Sequence, residues 1–190
     1  VVAPETTEQV SAVMRMAYAA GVGVVPYGGG TGLVGGQVMP EGAAPLVISL
    51  ENMTAIREIL PQENVMIVEA GAVLEDLHVA ALAVDRVFPL SIAAKGSARI
   101  GGNLATNAGG VNVLRYGNAR DLCLGLEVVT AEGDVLHNLS PLRKDNTGYD
   151  LRNLLIGSEG TLGVITAATL KLSPRPAHRG TAMFVVKDPS

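Results

Sequence analysis

The sequence predicts an α+β fold with two lobes: a small α/β lobe over about residues 1–88 and a larger lobe with mainly antiparallel sheet over about residues 89–180. Helix and strand patterns alternate in the first part of the chain, whereas the later regular patterns are mostly those of strands. The chain has 190 residues, of which 48% are hydrophobic. This is enough apolar material to bury a substantial core.

The first lobe opens with a short strand at residues 1–4, followed by a helix. Thr6 and Gln9 have the spacing of a capping box, which marks a helix start. Gly21 marks the expected end of this helix. Its apolar stripe, at helical spacing, consists of Val10, Val13, Met14 and Ala17.

Further strands and one helix complete the first lobe. Apolar runs predict strands at 22–27 and 46–50, and a strand pair at 56–60 and 64–69 across a polar turn. An amphipathic helix is predicted next. Its apolar positions are Leu74, Leu77, Ala81 and Leu82.

The strand at 22–27 leads into the glycine turn, residues 28–36, in which six of nine residues are glycine. Ordering so many glycines costs backbone entropy, so a purely structural reason for them is hard to find. Without Cβ atoms, the backbone N–H groups can converge closely on an anion. We therefore predict that the glycine turn binds phosphate.

Two other interpretations of the glycine turn are open. Gly30 to Gly35 also fits the G-x-G-x-x-G pattern of a Rossmann nicotinamide site, with Glu51 near the expected acidic position. That site requires a helix at the third glycine, but residues 36–45 contain two prolines and two glycines without helical periodicity. The context argues against a Rossmann site. The other interpretation is a surface loop that binds nothing.

A second glycine-rich segment lies within residues 91–121, a long stretch with almost no helix or strand pattern. Connections of this length are usually functional or disordered, and this one has too few charges for simple disorder. Residues 101–110 fit a short helical turn between glycine pairs, which would present Asn103, Thr106 and Asn107 to a polar ligand. The alternative is a glycine-rich structural crossing.

The second lobe is predicted from strand signals. We expect a hairpin at 126–130 and 135–138, and a later strand at 164–172. A third glycine-bearing segment, residues 157–165, leads into that strand. Beyond two prolines, residues 182–186 are predicted to begin another strand.

The composition excludes several classes of function. The net charge is −4, the basic residues are scattered, and there is no Trp, so no nucleic-acid surface is indicated. No apolar run is long enough to span a membrane. Cys123, the single cysteine, has leucine neighbours that predict a buried structural thiol. His78, His137 and His178 are isolated in the sequence, so we assign no metal ligands.

Three separated segments together resemble one protein family. They are the glycine turn, residues 95–110 and residues 157–165. These segments are similar to the FAD-binding domain of the vanillyl alcohol oxidase and p-cresol methylhydroxylase (PCMH-type) family. Residues 144–151 further resemble its D-2-hydroxyacid dehydrogenase branch, which includes D-lactate dehydrogenase, D-2-hydroxyglutarate dehydrogenase and the glycolate oxidase FAD subunit.

The resemblance implies a domain over residues 1–180 that holds extended FAD between its lobes, with residues 181–190 starting a C-terminal substrate domain. The residues implied to wrap the pyrophosphate are Pro26, Tyr27, Gly28, Gly29, Gly30, Thr31 and Gly32. Those implied to line the rest of the cofactor are Ala94, Lys95, Gly96, Ser97, Gly101, Gly102, Asn103, Thr106, Asn107, Gly109 and Gly110. Those implied to contact the adenine side or the flavin ring are Glu159, Gly160, Val164 and Ile165.

The resemblance also implies how FAD is attached and used. Some family members attach FAD covalently through a His in the first glycine segment and a Cys in the second, and this chain has neither there, so we expect noncovalent FAD. The implied reaction oxidises a 2-hydroxy acid to a 2-oxo acid by hydride transfer to flavin N5. The implied electron acceptor is a quinone, an electron-transfer flavoprotein, a cytochrome or oxygen. In this branch the catalytic base and metal site belong to the substrate domain, so we name no catalytic residue.

Two alternative functions stay open from the sequence. One is a flavin- or nucleotide-binding module without redox activity of its own, and the other is an NAD(P)-binding Rossmann enzyme. The chain starts without Met in a Val-Val pair, which is typical of a fragment. We expect this fragment to be inactive alone and, for a bacterial source, to come from a cytoplasmic protein.

Overall fold

The computed structural model describes residues 1–38, 42–178 and 180–188. Its elements, in chain order, are α1 (Thr7–Ala19), β1 (Val24–Tyr27), β2 (Leu46–Ser49), β3 (Ile56–Leu60), β4 (Val65–Glu69), α2 (Leu74–Ala83), β5 (Arg86–Val87), α3 (Ile100–Ala105), α4 (Val113–Tyr116), β6 (Cys123–Val129), β7 (Val135–Asn138), α5 (Leu151–Leu155), β8 (Val164–Lys171) and β9 (Ser173–Pro174). The predicted α+β class is confirmed.

The largest sheet has five strands in the order β3-β4-β8-β6-β7, and each neighbouring pair is antiparallel. Its central strands, β8 and β6, are almost entirely buried. A separate parallel pair is formed by β1 and β2, and β5 pairs with β9. The described strands therefore do not form the doubly wound parallel sheet of a Rossmann fold.

The five-stranded sheet joins strands from both sides of residue 88. β4 precedes that residue and β8 follows it, yet the two pair along their length, with Val65 opposite Lys171 and Glu69 opposite Ala167. The lobe boundary predicted near residue 88 thus does not coincide with a boundary between sheets. Strand patterns show which segments are buried, but they do not show which strands pair. The domain extent of 1–180 stays a prediction.

α1 begins where the capping pattern predicts. The Thr6 hydroxyl accepts a hydrogen bond from the Gln9 amide, and the Gln9 side chain accepts one from the Glu5 amide. These two bonds satisfy amides at a helix start that lack partners within the helix. Val10 and Met14 are buried on the face of α1 that packs towards β6.

The helices are short, and α2 covers part of the core. Leu74 and Leu77 are fully buried, which stabilises the fold by roughly 1.5–3 kcal/mol for each side chain. Leu82, predicted to lie on the same stripe, is exposed instead. No helix formed by the described residues combines the length and apolarity needed to cross a membrane.

Two predicted strands are wrong. Residues 1–4 contribute only an isolated parallel bridge between Val2 and Ile48. Residues 182–186 have no regular structure, and Met183 and Val185 are almost fully exposed. Strand propensity produces a strand only where a neighbouring strand supplies hydrogen bonds and packing. No strand in the described part of the chain lies beside residues 182–186.

Candidate functional site

The three glycine-bearing segments meet at one cleft. The cleft encloses a cavity of about 240 Å³ and opens to solvent, so it is somewhat smaller than the roughly 300–1000 Å³ typical of small-molecule pockets. The predicted site residues that line it are Pro26, Tyr27, Gly28, Gly29, Gly30, Thr31, Gly32, Gly101, Gly102, Asn103, Thr106, Glu159, Gly160, Val164 and Ile165. The structure therefore brings together most of the residues that the resemblance implied.

The glycine turn presents backbone amides that have no partner. β1 ends at Tyr27, and the N–H groups of residues 28–32 donate no hydrogen bond to any described residue. Residues 28–31 are nevertheless half-buried. Because buried amides in proteins are almost always hydrogen-bonded, such a run of free donors suits a bound anion.

Two glycines that line the cleft have different structural reasons to be glycine. A Cβ at Gly29 would lie 2.0 Å from the backbone oxygen of Ser97, so this glycine allows the turn to pack on the loop before α3. A Cβ at Gly102 would meet no protein atom within 4 Å. Since Gly102 lines the cleft, a side chain there would occupy cleft space only.

Asn103 gives a further sign that the cleft binds a polar group. Its side chain belongs to α3 and lines the cleft, although the residue is only 5% exposed. Its Oδ1 atom has no hydrogen-bond partner within the described residues. Leaving a buried polar atom unsatisfied costs about 1–3 kcal/mol, so a ligand that supplies its partner would be favoured.

The cleft has one basic and one acidic side chain among its described lining residues. Arg99 is half-buried, and its Nη1 donates to the carbonyl of Gly71. Glu159 lies across from the glycine turn, with Oε2 3.2 Å from where a Cβ of Gly36 would be. The two side chains form no ion pair with each other.

The other predicted site residues do not line the cleft. They are Ala94, Lys95, Gly96, Ser97, Asn107, Gly109 and Gly110. Several have contacts with the protein instead: Lys95 forms an ion pair with Glu75 at 2.9 Å, and the Asn107 side chain accepts a hydrogen bond from the Arg120 amide. Their contacts with FAD stay a prediction.

A second group of lining residues was not named individually among the predicted site residues. They are Val34, Gly36, Gln37, Leu50, Ala70, Ile92, Arg99, Ala105, Ala108, Ser158 and Gly163. Most are small or apolar, and such residues look the same in a sequence whether they line a cleft or fill a core. Gln37 and Arg99 are the exceptions. A charged residue directly before Ile100-Gly101-Gly102 was a signal that could have been used.

The histidines and the cysteine lie elsewhere. Cys123 is buried in β6, and burial raises the pKa of its thiol to about 12, which confirms the predicted buried thiol. His78 Nε2 lies 2.8 Å from the carbonyl oxygen of Leu90, and His137 contacts Glu127. His178 is exposed. The described residues that line the cleft therefore include neither His nor Cys.

The chain is similar to a family of FAD binding domains and to proteins named for D-2-hydroxyglutarate. A family described as an FAD binding domain matches residues 1–138. Mitochondrial D-2-hydroxyglutarate dehydrogenase of Rattus norvegicus is 47% identical over 173 residues, which are 91% of this chain and 32% of the relative. D-2-hydroxyglutarate dehydrogenase of Xanthomonas citri pv. viticola is 48% identical over 173 residues, which are 91% of this chain and 36% of the relative.

A relative of lower identity and a solved structure are also similar to this chain. D-2-hydroxyglutarate–pyruvate transhydrogenase of Saccharomyces cerevisiae is 39% identical over 185 residues, which are 97% of this chain and 37% of the relative. A structure of alkyldihydroxyacetonephosphate synthase superposes with a TM-score of 0.80 at 25% identity, covering 93% of this chain and 31% of that one.

The chain spans about a third of the length of these curated relatives. The family match, by contrast, covers most of the chain and includes two of the three glycine-bearing segments. Together with the relatives, it confirms both the resemblance and the predicted cofactor. This chain belongs to the family of FAD binding domains.

Proposed function

We propose that the chain binds FAD noncovalently in the cleft and serves as the cofactor domain of an enzyme that oxidises a 2-hydroxy acid to a 2-oxo acid. The run of unpartnered amides at residues 28–32, of which residues 28–31 are half-buried, is the observation that carries the location. The substrate class is supported by relatives named for D-2-hydroxyglutarate at 47–48% identity.

Different parts of the cleft lining would hold different parts of FAD. The amides of residues 28–32 would donate to the pyrophosphate, because a dianion needs several converging donors and little side-chain bulk. Asn103 would hydrogen-bond a polar group of the cofactor. Val164 and Ile165, at the start of β8, would form an apolar wall for a ring.

Noncovalent attachment is supported by the chemistry of the lining. A covalent link to the flavin requires a nucleophilic side chain such as His or Cys beside it. The cleft lining has neither, and the single thiol lies in the sheet with its pKa raised to about 12. The chain would therefore hold FAD through hydrogen bonds, charge and apolar contact alone.

The chain's own part in the reaction is to bind and orient. Bound FAD supplies the hydride acceptor. The residues of the cleft fix its position and exclude water from its apolar wall, which is the contribution of a positioning domain. The groups that bind the substrate carboxylate and take the hydroxyl proton would belong to the part of the relatives that this chain does not span. The electrons would pass on to an acceptor such as a quinone, an electron-transfer flavoprotein, a cytochrome or oxygen.

Anaerobic reduction of the flavin tests this function. The longer protein that carries this domain is loaded with FAD and mixed with D-2-hydroxyglutarate, D-lactate or glycolate while the flavin absorbance is recorded. We expect one of these acids to bleach the flavin, and the isolated 190 residues to bind FAD without being reduced. A loaded longer protein that no 2-hydroxy acid bleaches would contradict the proposal and favour a flavin-binding module without redox activity.

A further inference from the structure

We propose that Arg99 binds phosphate in the cleft and thereby makes this chain bind FAD more tightly than flavins without phosphate. The inference rests on the proposed FAD site and adds a residue that is not among the cofactor contacts implied by the family resemblance. The cleft would thus recognise negative charge through a fixed guanidinium as well as through backbone amides.

The backbone of Arg99 is held in place by the core. Arg99 forms an isolated antiparallel bridge with Val73, and α3 starts at the next residue. The following two amides, of Ile100 and Gly101, donate to the carbonyls of Ala72 and Ala70. The side chain therefore leaves a well-fixed backbone, which reduces the entropy lost when it binds a ligand.

The guanidinium is anchored on one side and free on the other. Nη1 donates to the Gly71 carbonyl, and this is the single hydrogen bond that the Arg99 side chain makes within the described residues. A guanidinium carries five N–H donors, so most of them are left for another acceptor. No carboxylate in the described part of the chain pairs with it.

Two arginines elsewhere in the structure have carboxylate partners. Arg57 pairs with Glu69 and Glu127, and Arg152 donates to Asp150 and to the Cys123 carbonyl. A positive charge that is partly removed from water is costly unless it is paired. Arg99, half-buried in the cleft, has one neutral partner among the described residues and lacks the carboxylate partner that Arg57 and Arg152 have.

Arg99 adjoins the residue at which the run of free amides begins. A Cβ at Gly28 would lie 3.8 Å from the Arg99 Cβ and also 3.8 Å from the Gly102 Cα, so these three residues adjoin one another. Gly28 starts the run of unpartnered amides. A guanidinium on a residue that adjoins such a run is suited to phosphate, which accepts several charge-assisted hydrogen bonds at once.

The phosphates are the groups of FAD that this arrangement would recognise. They carry its negative charge at neutral pH, whereas the ring system and the sugar chains are neutral. Riboflavin has the same ring system without phosphate. A comparison of FAD with riboflavin therefore distinguishes binding of the phosphates from binding of the ring.

Titrations of wild type and Arg99→Gln with FAD and with riboflavin, each at low and high salt, test the proposal. We expect Arg99→Gln to weaken FAD binding about tenfold or more and to reduce the salt dependence of FAD affinity. Riboflavin affinity should be the same in both proteins. Arg99→Lys, which keeps the charge but not the bidentate geometry, should restore part of the FAD affinity.

Arg115→Gln is the matched control, because Arg115 is exposed, lies against the Tyr116 ring and does not line the cleft. It should leave FAD affinity unchanged. Unchanged FAD affinity in a folded Arg99→Gln protein, or equal losses for FAD and riboflavin, would overturn the inference. If that variant does not fold, salt-insensitive FAD binding by the wild type would also overturn it. A wild type that binds no FAD would instead contradict the proposed function itself.

Discussion

Thr7 Oγ1, in the first turn of α1, donates a 2.7 Å hydrogen bond to Oε1 of Glu127 in β6, 120 residues later in the chain. The same carboxylate accepts a hydrogen bond from Thr166 in β8 and contacts His137 in β7 and Arg57 in β3. α1 leads through β1 into the glycine turn, and β8 begins with Val164 and Ile165, which also line the cleft. Glu127 therefore joins two elements that are continuous with the lining of the cleft.

Replacing Glu127 with Gln should destabilise the fold in a pH-dependent way. Burial alone would raise the pKa of Glu127, but hydrogen bonds from Thr7, His137 and Thr166 and the charge of Arg57 outweigh it and hold the pKa below its usual value. The charged form thus stabilises the fold above the pKa of the unfolded chain, and this contribution is lost as the pH falls through the folded pKa. We expect Glu127→Gln to lower the free energy of unfolding by about 2 kcal/mol near neutral pH.

Urea denaturation of both proteins at neutral and acid pH measures this effect. The difference between wild type and Glu127→Gln should shrink as the pH falls through the folded pKa of Glu127, where the wild-type carboxylate gains its proton. Glu58→Gln, at an exposed position of β3, is the control and should have little effect. A deficit that stays constant down to acid pH, or no deficit at neutral pH, would contradict this role of Glu127.

Substitution of Gly102 should weaken FAD binding without disturbing the protein. A valine there would meet no protein atom near its Cβ and would extend into the cleft, so we expect more than about a tenfold loss of affinity and a smaller loss for alanine. Gly30→Val is a weaker test, because Gly30 has φ +67° and faces the Tyr27 hydroxyl.

Fluorescence titration with FAD measures the affinity of the Gly102 variants, and circular dichroism checks their fold. Gly23→Val is the matched control, since a Cβ at Gly23 also meets no protein atom within 4 Å but the residue lies outside the cleft. Full affinity in a folded Gly102→Val protein would show that FAD does not pass this position.

Acid precipitation should release all flavin from the FAD-loaded chain. The lining of the cleft has no His or Cys that could carry a covalent link, so the cofactor should stay in the supernatant. The absorbance of supernatant and pellet is the measurement. Yellow colour that remains with washed, denatured protein would show that a covalent bond exists.

Cys123 should resist thiol reagents while the protein is folded. The reactive species is the thiolate, and burial raises the pKa of this thiol to about 12, so very little thiolate forms near neutral pH. We expect slow reaction with a chromogenic disulfide reagent in buffer and rapid, stoichiometric reaction in denaturant. Rapid labelling of the folded protein would mean that β6 opens readily around this residue.

Elements with a strong local signal were predicted correctly from the sequence. The Thr6–Gln9 cap placed the start of α1, and alternating apolar runs around short turns placed the β3–β4 and β6–β7 pairs. The pairing of β4 with β8 was not predicted, because it joins segments about a hundred residues apart and no local pattern encodes such a partner. The strand predicted at residues 182–186 is wrong for the same reason, because a local pattern does not show whether a partner strand is present.

The sequence predicted those parts of the candidate site that have an unusual amino-acid composition. Glycine clusters are visible in a sequence, and those at 28–32 and 101–102 do line the cleft. Gly110 does not, and a Cβ there would lie 2.1 Å from the Ser91 carbonyl oxygen, so its glycine serves backbone packing. Arg99 was not predicted because its proposed role depends on the direction of its side chain, which the sequence does not show.

A direct comparison of FAD and NAD binding tests the central claim, that the cleft formed by the glycine segments is an FAD site. Equilibrium titrations of the purified chain, freed of any bound flavin, would follow flavin fluorescence for FAD and calorimetric heat for both ligands. We predict saturable binding of one FAD per chain, weakened by Gly102→Val, and no binding of NAD over the same range. Saturable binding of NAD without binding of FAD would contradict the account.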